Sequence, residues 1–154
     1  MLERARGDAD GAAHGYALSV VVPTFNERAN VATLIERVGA VLDGVAWQII
    51  VVDDDSPDGT AEAVKAIAAT DTRVQCLRRV RRRGLAGAVI EGALASAAPY
   101  VGVIDGDLQH DESLLPRMLA VLTGGDADLV IASRYVGDSA PVDALNPVRR
   151  LGSR

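Results

Sequence analysis

Short apolar runs alternate along this chain with stretches in which apolar residues recur at helical spacing. Residues 17–22 form one such run, closed by Pro23, and predict a buried strand. From Asn30 to Leu42, the positions Val31, Leu34, Ile35, Val38, Val41 and Leu42 share one helical face. Gly44 ends that helix and residues 47–52 supply a second strand. Ser56-Pro57-Asp58-Gly59 is turn chemistry leading into a helix over 61–69. A third strand over 74–77, a small-residue helix over 84–97 and a fourth strand over 100–104 follow. Leu115, Met118, Leu119 and Leu122 mark another helix. Pro116 falls in its first turn, where a missing N–H costs nothing. Residues 127–133 read as a fifth strand. Strands and helices alternating at this spacing imply a parallel sheet with right-handed crossovers. Residues 1–16 are expected to be a disordered leader, 17–136 the folded domain and 137–154 an irregular tail.

Composition narrows the picture. The 154-residue length suits one core, and 49% of the chain is hydrophobic while only 3% is aromatic. The core must therefore come from Val, Leu, Ile and Ala, as in helix-covered parallel sheets. A net charge of −5 excludes a general electrostatic case for nucleic-acid binding. The basic residues are nonetheless clustered: Arg78, Arg79, Arg81, Arg82 and Arg83 form a loop that is either solvated or anion-binding. Cys76, the sole cysteine, excludes a disulfide within the chain and reads as a buried, inert thiol. No run approaches the ~18 apolar residues of a membrane span. The first residues lack the apolar stretch of a secretory signal, so the default compartment is the cytoplasm.

In open parallel sheets, ligands bind beyond the carboxyl ends of the strands. Here those ends are Pro23-Thr24-Phe25-Asn26-Glu27, Asp53-Asp54-Asp55, Asp105-Gly106-Asp107-Leu108-Gln109-His110 and Ser133-Arg134-Tyr135. Acidic groups and one arginine are thus expected on one rim. Like charges at close range oppose one another's ionisation, and a divalent cation would relieve them. Asp105 and Asp107, one glycine apart, can turn toward a shared point, and Gln109 adds a neutral oxygen. Such an all-oxygen set suits Mg²⁺ or Mn²⁺. Two other readings of the run from Asp53 to Gly59 were weighed. An EF-hand loop fails, because its twelfth position would be Lys65 and a strand precedes it. A plain turn capped by Asp58 leaves Asp53 and Asp54 unexplained. A phosphoacceptor receiver domain also fails, since its acidic pair belongs on the first strand and Lys65, the sole lysine, lies in the following helix.

Four segments together resemble family 2 glycosyltransferases of the dolichol-phosphate mannose synthase type. They are Val21-Val22-Pro23-Thr24-Phe25-Asn26-Glu27, the run from Val51 to Thr60, the run from Asp105 to His110, and Asp128-Leu129-Val130-Ile131-Ala132-Ser133-Arg134-Tyr135. Arg83-Gly84-Leu85-Ala86 and Glu91-Gly92 also match. The resemblance implies a GT-A (Rossmann-like) fold, an open and mostly parallel sheet with helices on both faces. It further implies inverting transfer from a nucleotide sugar, with GDP-mannose as donor and a polyprenyl phosphate as acceptor. Pro23, Phe25 and Glu27 would cradle the nucleoside, with Val52 and Asp54 continuing the pocket. Asp105, Gly106 and Asp107 would face the diphosphate, the two carboxylates holding the metal with help from Gln109. Arg134 would contact the phosphates, and Asp107 and Arg134 would carry the catalysis. Phe25 stands where the family usually has tyrosine, which keeps stacking and loses a hydroxyl.

An acceptor phosphate is already ionised at neutral pH and needs no general base. His110 therefore reads as a structural or positioning histidine ahead of a base. The arginine run could meet phosphate or a membrane surface, giving a peripheral membrane contact. Arg149-Arg150-Leu151 resembles the start of the family's acceptor segment, so the resemblance covers the donor half. The expectation is a fragment of a longer protein or a truncated paralogue. A nucleotide-sugar-binding module without turnover, or a family 2 transferase with another donor or acceptor, are the alternatives.

Overall fold

A computed structural model describes residues 15–125 and 127–133. Strands β1 (Leu18–Thr24), β2 (Trp47–Asp53), β3 (Val74–Arg78) and β4 (Tyr100–Val103) form one sheet in the order β3-β2-β1-β4. Every pairing is parallel, with Leu18 opposite both Trp47 and Tyr100, and Asp53 opposite Arg78. Helices α1 (Val31–Val41), α2 (Thr60–Ala68), α3 (Leu85–Ala95) and α4 (Leu115–Gly124) connect and flank the strands, α4 being preceded by a 3-10 turn over Glu112–Leu114.

Alternation along β1 and β2 divides the core between the two faces of the sheet. Val20, Val22, Ile49 and Val51 pack with Val31, Leu34, Val38, Val64 and Leu115 on the side of α1, α2 and α4. Val21, Ile50 and Val52 pack with Ala88 of α3 on the other side. On that second face the helix lies very close. A Cβ at Gly92 would come within 2.5 Å of Val21 Cγ1 and 2.9 Å of Val52 Cγ2. Glycine here is a packing requirement, since any side chain would lift α3 off the sheet.

Pro23 lies in a central strand, where a missing N–H usually breaks the ladder. The Val21 carbonyl accepts from the Ile104 amide, and the Thr24 carbonyl accepts from the Asp54 amide on the opposite side. Alternation directs the backbone of Pro23 toward β4, beyond the last paired residue there, Val103. No ladder bond is lost. Cys76 is half-buried, with Sγ 3.7 Å from the Ala61 carbonyl oxygen. Burial raises its thiol above the ordinary range, which keeps it protonated and inert.

One expectation needs correction. Residues 127–133 are not a strand. They form no ladder with the described sheet, and Leu129 and Ile131 are 74% and 76% exposed. A strand is defined by its ladder with a neighbour, and the four-stranded described sheet does not include this segment. The expected leader, residues 1–16, lies outside the described residues except for Gly15 and Tyr16, and the expected tail, residues 137–154, lies wholly outside them. Among those described, no helix is long and apolar enough to cross a membrane.

Candidate functional site

The exits of β1 and β2 are stitched together by three consecutive amides. Asn26, Glu27 and Arg28 N–H donate to Ser56 Oγ at 2.9 Å, Thr60 Oγ1 at 3.0 Å and Asp58 Oδ2 at 3.1 Å. Their acceptors are fixed in turn. Ser56 donates its amide to Asp53 Oδ2 at 3.0 Å, and Thr60 donates its amide to Asp58 Oδ1 at 3.0 Å. Asp58 thereby serves the start of α2 as its turn chemistry suggested. Burial works against its ionised form, but the Thr60 hydroxyl and the Arg28 and Thr60 amides outweigh it and hold the carboxyl below its ordinary value. The crowded rim also bends the backbone. Asn26, Asp55 and Leu108 take φ of 63°, 60° and 59°. For Leu108, which gains nothing locally from that conformation, the cost is on the order of 1 kcal/mol or more.

The acidic end of β2 is neutralised from within the chain. Parallel register places Arg78 opposite Asp53, so the basic exit of β3 runs beside the acidic exit of β2. Asp53 is fully buried and accepts from Ser56 and from the Thr24 hydroxyl. Asp54, 6% exposed, meets Arg79 Nη1 at 2.7 Å through Oδ1, while its Oδ2 accepts the Gly84 amide at 2.7 Å. Arg79 also reaches Glu91 at 3.2 Å and the Gly84 carbonyl at 3.1 Å. Arg78 pairs with Asp55 at 2.6 Å and Glu62 at 3.2 Å, and the Asp55 hydrogen bond raises its already high pKa. Arg82 pairs with Glu91 at 2.9 Å. The arginine run is thus largely a set of internal clasps, and Arg79 is its buried member. Asp53 and Asp54, which a plain turn left unexplained, hold these loops in place.

At the exit of β4 the carboxylates remain available. Asp105 and Asp107 are partly exposed, and Asp107 Oδ1 accepts the Gln109 amide at 3.1 Å, which aims the side chain. His110 holds Asp105 at two points: Nδ1 accepts the Asp105 amide at 3.3 Å, and Nε2 lies 3.4 Å from Asp105 Oδ2. Histidine therefore positions a carboxylate here, in keeping with the sequence reading. A Cβ at Gly106 would sit 3.1 Å from Thr24 Cγ2 and 3.2 Å from Glu27 Cγ. The β4 exit loop rests directly on the β1 exit loop, and a side chain at this position would push Thr24 and Glu27 aside by a few tenths of an ångström. Among the described residues no three His, Cys, Asp or Glu side chains surround a common point. Asp105, Asp107 and the exposed Gln109 nonetheless form a hard, open oxygen set. That suits Mg²⁺ or Mn²⁺, which keep waters and phosphate oxygens in most of their shell.

The other expected site residues differ in where they lie. Phe25 is 41% exposed at the end of β1, and Pro23 is partly buried behind it. Glu27 is partly buried, and its Oε2 accepts from Asn30 Nδ2 at 2.7 Å. Val52 has its side chain in the α3-side core, leaving only backbone to the rim. Arg134 lies outside the described residues. Arg79 was the residue missed. Its signal was present in the basic exit of β3 running parallel to the acidic exit of β2.

The fold, a parallel sheet with flanking helices and an acidic carboxyl rim, is that of GT-A glycosyltransferases. The family model described as "Glycosyl transferase family 2" matches residues 19–148, and the chain belongs to that family. A dolichol-phosphate mannosyltransferase of Pyrococcus furiosus is 39% identical over 119 residues, 77% of this chain and 33% of that protein. Another, of Mycosarcoma maydis, is 33% identical over 132 residues, 81% of this chain and 45% of the relative. The chain therefore spans a third to under half the length of these curated relatives. Among solved structures, the mannosyltransferase PcManGT of Pyrobaculum calidifontis, in complex with GDP-Man and Mn²⁺, matches with a TM-score of 0.56 at 26% identity, over 67% of this chain and 31% of that one. Glucosyl-3-phosphoglycerate synthase of Mycobacterium tuberculosis, with Mn²⁺, UDP-glucose and phosphoglyceric acid, matches with a TM-score of 0.57 at 26% identity, over 73% of this chain and 41% of that one.

Proposed function

We propose that this chain provides the donor site of an inverting glycosyltransferase that moves mannose from GDP-mannose to a polyprenyl phosphate. The observation that carries the reading is the Asp105-Gly106-Asp107 loop, seated through Gly106 on Thr24 and Glu27 at the carboxyl end of a parallel sheet. Similarity to dolichol-phosphate mannosyltransferases supports the lipid acceptor, and the GDP-Man complex of PcManGT supports the donor.

Bound Mg²⁺ or Mn²⁺ would offset the charge that grows on the diphosphate as it leaves. Asp105 and Asp107 would hold it, with Gln109 beside them and His110 fixing the Asp105 carboxylate. Phe25 offers an exposed aromatic face for the base. The stitched loops over 25–30 and 54–60 set that face before any ligand arrives, so little ordering is left to binding. Arg134 is proposed to contact the phosphates. Because the acceptor is an ionised phosphate, the chain's task is to orient the two substrates and stabilise the leaving group, with no proton to remove. A lipid acceptor also implies work at the cytoplasmic face of a membrane. Val80 and Leu85, both exposed, flank Arg81 and Arg82 in a loop suited to peripheral contact.

Calorimetric titration of GDP-mannose with and without Mn²⁺, using UDP-glucose as a control, tests the donor site. Metal-dependent binding of GDP-mannose is expected, and Asp107→Ala should weaken it about 100-fold while leaving the circular dichroism unchanged. Equal affinity in that variant would sink the metal assignment. Transfer to a polyprenyl phosphate is then assayed directly, and binding without transfer would identify a nucleotide-sugar-binding module.

A further inference from the structure

Four arginines of the run leaving β3 have a defined contact among the described residues, and one differs from the rest in kind. Arg78, Arg79 and Arg82 each meet a carboxylate, through Asp55, Asp54 and Glu91. Arg83 instead lies over the ring of Phe25, its guanidinium carbon 4.2 Å from the ring centroid. A cation over an aromatic face is attracted and oriented, but its charge is not cancelled.

The placement matters as much as the charge. Phe25 falls between Thr24 and Glu27, the two residues on which the metal-loop glycine Gly106 rests. The ring therefore carries Arg83, a residue of the β3–α3 connection, across to the β1 exit beside Asp105 and Asp107. Both partners stay open to solvent: Arg83 is exposed, and Phe25 keeps 41% of its surface with one face covered. Arg81 also has no carboxylate partner among the described residues, but no contact there directs it toward this rim.

We infer that Arg83 is the cation that binds the diphosphate of the donor, with Phe25 holding it in reach while the free part of the ring receives the base. The inference rests on the donor-site reading above and adds a specific residue to it. A planar guanidinium suits the role, because it can stack on the ring while its N–H fork faces phosphate oxygens. Two carboxylates and a metal leave the diphosphate short of positive charge, and Arg83 supplies a further unit.

The test is GDP binding to the whole 154-residue chain in Mn²⁺, measured by calorimetry over a series of salt concentrations. Arg83→Ala is expected to weaken GDP about tenfold or more and to flatten the dependence of affinity on salt, as loss of a charge-assisted contact requires. Arg83→Lys should recover part of the affinity at low salt. Phe25→Leu should weaken GDP and, by releasing Arg83, also flatten the salt dependence. An affinity for Arg83→Ala within twofold of wild type overturns the inference, and so does a loss with unchanged salt dependence. Failure of the donor-site reading has a different signature, since wild type itself would then bind neither GDP nor GDP-mannose.

Discussion

Each end of the sheet carries an arginine stacked on an aromatic ring. At the amino end, Arg73 lies over Trp47 at 4.4 Å, and Asp71 grips the same guanidinium at 2.7 Å. Trp47 is buried, the Asp71 hydrogen bond raises the Arg73 pKa, and the cluster is saturated. At the carboxyl end, Arg83 lies over an exposed Phe25 with no carboxylate in hand among the described residues. One motif closes a structure and the other leaves it unfinished. What separates them is the distribution of acids. At the carboxyl rim, the inner carboxylates Asp54 and Asp55 are spent on Arg79 and Arg78, while Asp105 and Asp107 remain at the surface. On the proposed reading, binding falls to the charges that the fold leaves unneutralised at the carboxyl end of the sheet among the described residues.

The sharpest way to break the contrast is to remove the clasp that keeps the inner acids occupied. Arg79→Ala would strand the buried Asp54 carboxylate and should cost about 3–5 kcal/mol, seen as a much lower urea midpoint. A loss below about 1 kcal/mol would show that solvent reaches Asp54 and that the rim is less divided than the distances imply. Next in size is His110→Ala. It frees Asp105 and should weaken Mn²⁺ about tenfold in the nucleotide complex, while the melting temperature stays put. Unchanged Mn²⁺ affinity would reduce His110 to a surface contact.

The smallest effect belongs to the saturated amino end. Asp71→Asn should cost only about 0.2–1 kcal/mol at neutral pH, because the pair is largely solvated. The Arg73 hydrogen bond lowers the folded pKa of Asp71, so its contribution is present above the ordinary value of 3.8 and disappears as pH falls through the lower folded value. A stability profile below pH 4 should accordingly be flatter in the variant, and identical profiles would rule the pair out as a source of acid sensitivity.

The order of elements was legible because nearly every β1 and β2 position is buried on one face or the other, and such strands read as largely apolar runs. The place of Asp105-Gly106-Asp107 at the exit of β4 was legible because it directly follows such a run. Two things were not. The apolar run over 127–133 carries the same local pattern as the true strands, yet pairing is a property of a neighbour, which periodicity cannot report. The Arg79–Asp54 pair joins residues 25 apart in the chain. It became visible only with the register that sets Arg78 opposite Asp53. A polar chain from exposed Gln75 through buried Gln48 and Ser19 to half-buried Ser96 was hidden for the same reason, since its four members come from three strands and the end of α3.

The three amides of Asn26, Glu27 and Arg28 that hang on Ser56, Thr60 and Asp58 have a consequence for inheritance. Two segments separated by a whole helix and strand behave as one cassette. The donors are backbone amides, so a recombinant whose second segment lacks the side-chain acceptors at 56, 58 and 60 strands three amides of the first at once.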